Sequence, residues 1–140
     1  MTITVGEVGT ASVIVTEKDT ARGLLGAHET ALPGDAYADV LATTKMIALM
    51  ELAAGRILQR IQTPQQLSVG VGVNIRHLAA SPIGMEVTAT ATYIGQEGKL
   101  YKFKVEAFDR KGKVGEGEHT RAIIEAERLL SAAAKRNEPA

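Results

Sequence analysis

The sequence predicts an α+β fold in which a curled antiparallel sheet wraps around one long central helix. Residues 43–61 are mostly strong helix formers, and Glu51 is the only charged residue between Lys45 and Arg56. Four segments of alternating apolar and polar residues follow this helix, separated by short turns. One further β-rich segment precedes it. Consecutive strands joined by tight turns indicate an antiparallel sheet packed on a helix rather than alternating β-α-β units.

The chain before the central helix divides into a strand and a long irregular region. Residues 10–16 are rich in valine, isoleucine and threonine, which predicts the first strand. Residues 17–41 show no clear periodicity, and an irregular segment of this length is usually functional or disordered. Because it contains Leu24, Leu25 and Tyr37, we expect a packed lid rather than a loose linker.

The central helix carries a single carboxylate among apolar residues. Thr43 or Thr44 is the expected N-cap, since a hydroxyl can accept hydrogen bonds from the free amides of the first turn. Apolar residues surround the helix on every side, so we expect it to be buried and Glu51 to be desolvated. A desolvated carboxylate must be paired, hydrogen-bonded or protonated, as functional carboxylates often are. The alternatives are a head group in water or a structural ion pair with Arg56 or Arg76.

The part of the chain after the helix is predicted to form four strands and a tail helix. The strands are residues 67–77, 85–94, 99–109 and 114–124, and the amphipathic tail helix is residues 126–136. Alternation places six residues of the first of these strands on one apolar face: Leu67, Val69, Val71, Val73, Ile75 and His77. His77 should therefore point towards the layer that contains Glu51, unless it leans into solvent at the strand end. One face of the last strand is Gly115, Gly117, His119, Arg121 and Ile123.

Composition bounds the kind of protein. The 140 residues predict a single domain, residues 1–140, and the balance of 16 basic and 16 acidic residues gives no broad basic surface for nucleic acid or anionic lipid. The lack of cysteine excludes disulfides and fits a reducing compartment, so the cytoplasm is the expected location. We expect no signal peptide and no membrane span, because the N-terminus has no basic region followed by an apolar run and no apolar stretch is long enough. We also expect no metal site, because the three histidines lie far apart without an acidic pair at ligand spacing.

Three blocks of the sequence resemble the fluoroacetyl-CoA thioesterase family, whose members have the hotdog fold. The blocks are Ala42-Thr43-Thr44-Lys45-Met46-Ile47-Ala48-Leu49-Met50-Glu51, Ser68-Val69-Gly70 continuing to Arg76-His77-Leu78-Ala79-Ala80-Ser81-Pro82-Ile83-Gly84, and Gly115-Glu116-Gly117-Glu118-His119-Thr120-Arg121-Ala122-Ile123-Ile124. The resemblance extends over nearly the whole chain from Tyr37 onward. Residues 20–35 match poorly, which leaves the acyl group open.

The resemblance implies a set of site residues. Thr43, Glu51 and His77 would be catalytic, Gly70 would offer backbone contact near the thioester, and Arg121 would lie near the site or the coenzyme A moiety. Tyr37 stands where the family can carry a phenylalanine gate. Coenzyme A would enter as part of the substrate, and no separate cofactor is implied. Other roles are open, because a threonine at this position can simply cap the helix and an arginine on a strand can be solvated or form a structural ion pair.

The leading hypothesis is a homodimeric acyl-CoA thioesterase that acts on short acyl chains. Glu51 could attack the thioester or activate water, His77 could move the proton, and Thr43 could hold the carboxylate or the water in line. We expect a homodimer because a curled sheet covers only one side of its helix. Two alternatives remain: a hotdog enoyl-CoA hydratase or dehydratase, and a non-catalytic acyl-CoA binding module.

Overall fold

The computed structural model describes residues 2–139, and its elements follow the predicted order. They are β1 (Val8–Ile14), α1 (Thr43–Leu58), β2 (Gln66–His77), β3 (Glu86–Glu97), β4 (Leu100–Asp109), β5 (Gly112–Glu125) and α2 (Ala126–Arg136). The predicted tail helix has the observed bounds. The five strands begin and end within three residues of their predicted limits. The largest difference is at the end of β3, which extends to Glu97 and leaves Gly98 and Lys99 as the hairpin turn.

The five strands form one antiparallel sheet in the order β1-β3-β4-β5-β2, so β1 and β2 are its two edges. The sheet curls around α1, and alternate residues of β3 and β4 are buried against it. The core comprises side chains from both layers: Ala11, Leu41, Met46, Leu49, Met50, Ala53, Ala54, Ile57, Leu58, Val87, Ala89, Ala91, Tyr93, Phe103, Val105, Ala107 and Val114. Gly9 allows β1 to approach α1 closely, because a methyl group there would overlap the carbonyl oxygen of Ala53.

The expectation that α1 is covered on every side is wrong. Leu52 is 50% exposed, because the curled sheet covers one side of the helix and leaves the opposite side open. The helix also begins differently from the prediction. Ala42 is the N-cap residue and Thr43 is the first helical residue, without any side-chain cap. The helix ends at Leu58, three residues before its predicted end.

A β-bulge in β2 changes which residues face the helix. Gly70 is opposite Arg121 and Gly72 is opposite Thr120, so Val71 is an extra residue in the ladder. Before the bulge the even-numbered Ser68 and Gly70 face α1, and after it the odd-numbered Val73, Ile75 and His77 do so. The single apolar face predicted for β2 is therefore wrong for Leu67 and Val69, which lie on the other side. The prediction that His77 faces the helix layer is confirmed.

The lid-like segment, residues 17–41, is anchored at its base and exposed at its outer part. Asp19 is buried, accepts hydrogen bonds from the amide and hydroxyl of Thr16, and pairs with Lys45 of α1 at 3.1 Å. Burial raises the pKa of Asp19, but these hydrogen bonds and the Lys45 ammonium outweigh it and hold the pKa below its ordinary value. Leu24 and Tyr37 are exposed, so the outer part of the segment does not pack on the domain as expected.

Candidate active site

The first group of candidate residues lies where α1 begins. Thr43 opens the helix and His77 closes β2, and Thr43 Oγ1 is 2.8 Å from His77 Nδ1. The other ring nitrogen of His77, Nε2, is buried and has no hydrogen-bond partner within residues 2–139. Burial lowers the pKa of His77, and the backbone at Ala79 raises it by a smaller amount. His77 is therefore neutral at pH 7, so one of its ring nitrogens carries a proton and the other can accept one.

The second group forms around the carboxylate of Glu51. Arg121 Nη1 donates to Glu51 Oε1 at 3.2 Å. The same guanidinium donates from Nε to the Ser68 hydroxyl and from Nη2 to the Ser68 carbonyl, both at 3.0 Å. Arg121 is only 9% exposed, and this burial lowers its pKa while Glu51 raises it. A guanidinium stays charged at neutral pH, so the arrangement is an ion pair whose cation is fixed by the strand beside it.

This pairing settles two alternatives from the sequence. The partner of Glu51 is Arg121, and not Arg56 or Arg76. Arg56 Nη1 donates instead to the carbonyl of Thr10 at 2.6 Å, and Arg76 lies opposite Glu116 in the sheet ladder. Arg121 is not a solvated strand residue either. Its guanidinium is occupied by protein acceptors, which favours an ion pair over a contact with coenzyme A phosphates.

Glu51 borders an open groove. The groove has a volume of about 490 Å³ and runs between α1 and the first half of β2, with Leu52, Gly55 and Leu67 among its lining residues. The Glu51 side chain is 43% exposed there, so the prediction that it is desolvated is wrong for the single chain. Gly70 lies against the carboxylate, since a methyl group at this position would overlap Glu51 Oε1. The absence of a side chain at Gly70 thus allows the carboxylate to reach the β2 backbone.

His119 and Ser68 belong to the second group, although sequence reasoning did not select them. His119 is 1% exposed, and its Nδ1 is 2.8 Å from the carbonyl oxygen of Gly72. Its Nε2 is 3.1 Å from Arg121 Nη1 and 3.9 Å from Glu51 Oε1. Burial is the main cause that lowers the pKa of His119; Gly72 and Glu51 raise it, and Arg121 lowers it further. The predicted common face of His119 and Arg121 on β5 was the signal that could have identified the histidine.

The two groups are separate within one chain. No hydrogen bond joins the Thr43 and His77 pair to the residues around Glu51 in the part of the chain that the structure describes. Thr43 and Glu51 are eight positions apart on one helix, which corresponds to about 12 Å along its axis. The Thr43 and His77 pair and the Glu51 group therefore lie at different points along α1. The structure therefore brings the three predicted catalytic residues to the same helix without bringing them together.

Tyr37 lies apart from both groups. It borders a shallow groove within the lid-like segment, together with Glu17, Arg22 and Asp35, and none of the residues that line this groove is another candidate site residue. Its role as a gate stays a prediction. Among residues 2–139, no three histidine, aspartate or glutamate side chains come close enough to hold a metal ion. None of the helices formed by these residues has the length and apolar character needed to cross a lipid bilayer.

Solved structures identify the architecture. A hot-dog-like protein from Thermanaerovibrio acidaminovorans superposes with a TM-score of 0.82 at 24% identity, over 97% of this chain and 94% of that one. A variant of the fluoroacetyl-CoA-specific thioesterase FlK superposes with a TM-score of 0.87 at 30% identity, over 98% of this chain and 99% of that one. The same kind of variant with fluoroacetate and CoA bound superposes with a TM-score of 0.81 at 32% identity, over 91% of this chain and 99% of that one. The curled sheet around one helix is thus the hotdog fold of thioesterases.

Sequence comparison gives the family. A model of the fluoroacetyl-CoA-specific thioesterase family matches residues 15–127, which include both candidate groups. The fluoroacetyl-CoA thioesterase of Streptantibioticus cattleyicolor is 36% identical over 93 residues, 66% of this chain and 67% of that protein. The chain belongs to the fluoroacetyl-CoA-specific thioesterase family.

Proposed function

We propose that this protein is an acyl-CoA thioesterase that hydrolyses a short-chain acyl-CoA to the free acid and coenzyme A. The observation that carries the proposal is the carboxylate of Glu51, held through Oε1 by Arg121 at the wall of an open groove. Membership of a thioesterase family supports the same chemistry. The structural relative with fluoroacetate and CoA bound supports a coenzyme A thioester as the substrate.

Glu51 is the reacting group in this proposal. Arg121 binds Oε1, and Oε2 accepts no hydrogen bond from residues 2–139. Oε2 can therefore attack the thioester carbonyl to form a mixed anhydride as the C–S bond breaks and the coenzyme A thiolate leaves. Water then cleaves the anhydride and regenerates the carboxylate. In the alternative route, Glu51 takes a proton from water, and the resulting hydroxide attacks the carbonyl.

Thr43 and His77 supply the proton chemistry and the binding of the oxyanion. The hydroxyl of Thr43 is fixed by His77 Nδ1, and Nε2 of the same ring is free to exchange a proton with water or with the departing thiolate. The amides of the first turn of α1 are directed towards the same region. A helix N-terminus stabilises negative charge, so it suits the oxygen of the tetrahedral intermediate.

The protein acts as a homodimer in this proposal, and the site is shared between subunits. β2 is an edge strand with exposed apolar side chains, among them Val71 and Val73, and an exposed apolar edge favours pairing with a second strand. Antiparallel pairing of two β2 strands along their length would set the His77 end of one against the Gln66 end of the other, next to Ser68 and Gly70. The Thr43 and His77 pair of one subunit would then face the Glu51 group of its partner, which overcomes their separation within one chain.

The acyl group and the location are the parts of the proposal that depend most on the sequence. A short acyl chain fits the family, and Tyr37 in the lid-like segment is the proposed determinant of acyl preference. The cytoplasm remains the proposed compartment, on the ground that the chain has no cysteine. Fractionation of cells that express the protein at native level measures this directly.

The deciding experiment is thiol release from acetyl-, fluoroacetyl-, propionyl-, butyryl- and benzoyl-CoA by the wild type and by Glu51→Gln. We expect the variant to lose roughly 100- to 10,000-fold in kcat, the usual contribution of a catalytic base or nucleophile. Glu118→Gln, at an exposed carboxylate of β5, is the matched control and should retain activity. Thiol release by Glu51→Gln at the wild-type rate would contradict the proposal.

A second assay separates the alternatives. Hydration of crotonyl-CoA without thiol release would identify a hydratase, and binding of the esters without any turnover would identify a binding module.

A further inference from the structure

His119 is a buried histidine that the proposed reaction does not use. It is among the largest fully buried side chains, and both of its ring nitrogens have polar partners. It does not touch the open groove beside Glu51, since it is not among the residues that line that groove. A buried polar side chain without a structural reason would destabilise the fold, so its partners should show what it does.

The two partners of His119 determine its proton. The carbonyl oxygen of Gly72 can only accept a hydrogen bond, so Nδ1 of His119 must carry the proton. The guanidinium of Arg121 can only donate, so Nε2 must be the unprotonated acceptor. The ring is therefore neutral, with its proton on Nδ1. Burial and the charge of Arg121 both lower the pKa of His119, which agrees with a neutral ring at pH 7.

The contact with His119 occupies a specific hydrogen of Arg121. One Nη1 hydrogen is donated to Glu51 Oε1, and His119 Nε2 accepts the other, while Nε and Nη2 donate to Ser68. Without an acceptor at His119, the second Nη1 hydrogen would be buried and unpaired. The nearest anionic acceptor is the carboxylate of Glu51, whose second oxygen is the reacting atom in the proposed mechanism. Two parallel hydrogen bonds to a carboxylate come from two different guanidinium nitrogens, so an Arg121 released from His119 would turn to present a second nitrogen to Glu51.

The bulge in β2 completes this arrangement. Gly72 lies where the extra residue Val71 interrupts the ladder, and its carbonyl accepts from His119. Gly70, on the other side of the bulge, is the residue against which Glu51 lies. His119 thus connects the backbone beside Glu51 to the cation that holds Glu51.

We infer that His119, as the neutral Nδ1-protonated tautomer, is a positioning residue that keeps Arg121 on one oxygen of Glu51 and leaves the other oxygen free to react. The inference rests on the proposed thioesterase function, because it concerns the reactivity of the same carboxylate. His119 acts through Arg121 and does not touch the substrate.

Two substitutions separate the contacts of His119. In His119→Gln the amide oxygen reaches the place of Nε2 and can accept from Arg121, but the contact with Gly72 is lost. In His119→Asn the amide nitrogen takes the place of Nδ1 and can donate to Gly72, but Arg121 loses its acceptor. On the best acyl-CoA ester of the panel, we expect His119→Asn to lose roughly 10- to 100-fold in kcat with little change in KM. His119→Gln should be at least about tenfold faster than His119→Asn.

A control and a spectroscopic measurement exclude a purely structural role. Val87→Ala removes buried volume in β3 away from the site, so it should lower the unfolding temperature and leave kcat unchanged. In the wild type, long-range proton–nitrogen NMR correlations of labelled histidine rings should show a neutral ring with its proton on Nδ1 for His119, whatever the tautomer of the other histidines. That signal should be absent from His119→Gln.

The outcomes are distinguishable. If the wild type releases no thiol from any ester, the proposed function fails. If the wild type is active but folded His119→Asn is as fast as the wild type or as His119→Gln, only the inference about His119 fails. An Nε2-protonated or cationic His119 at pH 7 would also overturn it, whatever the kinetics.

Discussion

At the scale of single residues, the site depends on how closely side chains approach one backbone position. Glu51 lies against Gly70 of β2, and Arg121 of β5 is directly opposite this glycine in the sheet. The carboxylate is therefore confined between a cation and a backbone without a side chain. Its position should be sensitive to a single added carbon atom.

Gly70→Ala should reduce turnover strongly. The added methyl group would overlap Glu51 Oε1, so the carboxylate must rotate away from Arg121 or β2 must move. We expect kcat to fall by roughly 10-fold or more, the rate equivalent of a lost hydrogen bond between charged groups. Steady-state thiol release measures the change.

Gly72→Ala is the matched control for this substitution. A methyl group at Gly72 meets no atom within 4 Å, although the residue lies only two positions away in the same bulge. The kcat of Gly72→Ala should therefore fall much less than the kcat of Gly70→Ala. Equal losses in the two variants would show that the bulge needs glycine for its backbone, and that space for Glu51 is not the reason.

At the scale of elements, the lid-like segment is joined to the helix by an ion pair whose carboxylate is buried. Asp19 accepts from the amide and hydroxyl of Thr16, contacts Lys45 of α1, and its carbonyl accepts from the amide of Ala42. These contacts fix the first turn of α1, where Thr43 presents its hydroxyl to His77. The base of the lid-like segment and the start of α1 therefore form one structural unit.

Asp19→Asn should destabilise the fold by about 1–3 kcal/mol, because it leaves buried donors without a charged acceptor. Asp39→Asn is its control. Asp39 pairs with Arg22 at 3.1 Å, but both side chains are largely exposed, so the loss should be at most about 1 kcal/mol. Urea unfolding followed by circular dichroism measures both values. A similar cost for the two variants would mean that the Asp19 cluster does not anchor the lid.

At the scale of the whole molecule, the sheet leaves one apolar edge and one side of the helix uncovered. β2 forms that edge, Leu52 and the Glu51 groove lie on the open side of α1, and the two groups of candidate site residues are separate within the chain. A second subunit on the β2 edge accounts for all three features.

A mixture of two inactive variants should therefore recover activity. If the site is shared as proposed, His77→Ala and Glu51→Gln each lack one half of it, and their heterodimer contains one site with both halves intact. Random association should restore about a quarter of wild-type thiol release, since half of the dimers are mixed and each has one intact site. Coexpression of the two variants with different tags, followed by the thiol assay, measures the recovery. No recovery from a purified heterodimer would place both groups of the site in one subunit.

The edge strand provides the control for the dimer. Val71→Lys places a charge on the β2 edge and should give a monomer in sedimentation equilibrium with little activity. Ile94→Lys, at another exposed apolar position on the inner strand β3, should remain a dimer.

The sequence by itself determined the order of the elements. The bounds of the tail helix followed from periodicity, because amphipathic patterns reflect which side of an element is buried. The same logic gave His77 the correct side of β2. It also placed His119 and Arg121 on one face of β5, which is the face that meets Glu51.

Only the tertiary structure decided which of these groups meet. An extra residue in a strand leaves no periodic signature, so the bulge at Val71 and the inward position of Ser68 could not be read from the chain. The partner of Glu51 depends on strand register, which places Arg121 beside it and leaves Arg56 and Arg76 elsewhere. The exposure of Glu51 follows from the shape of the curled sheet, because a sheet that covers one side of a helix leaves the other side open.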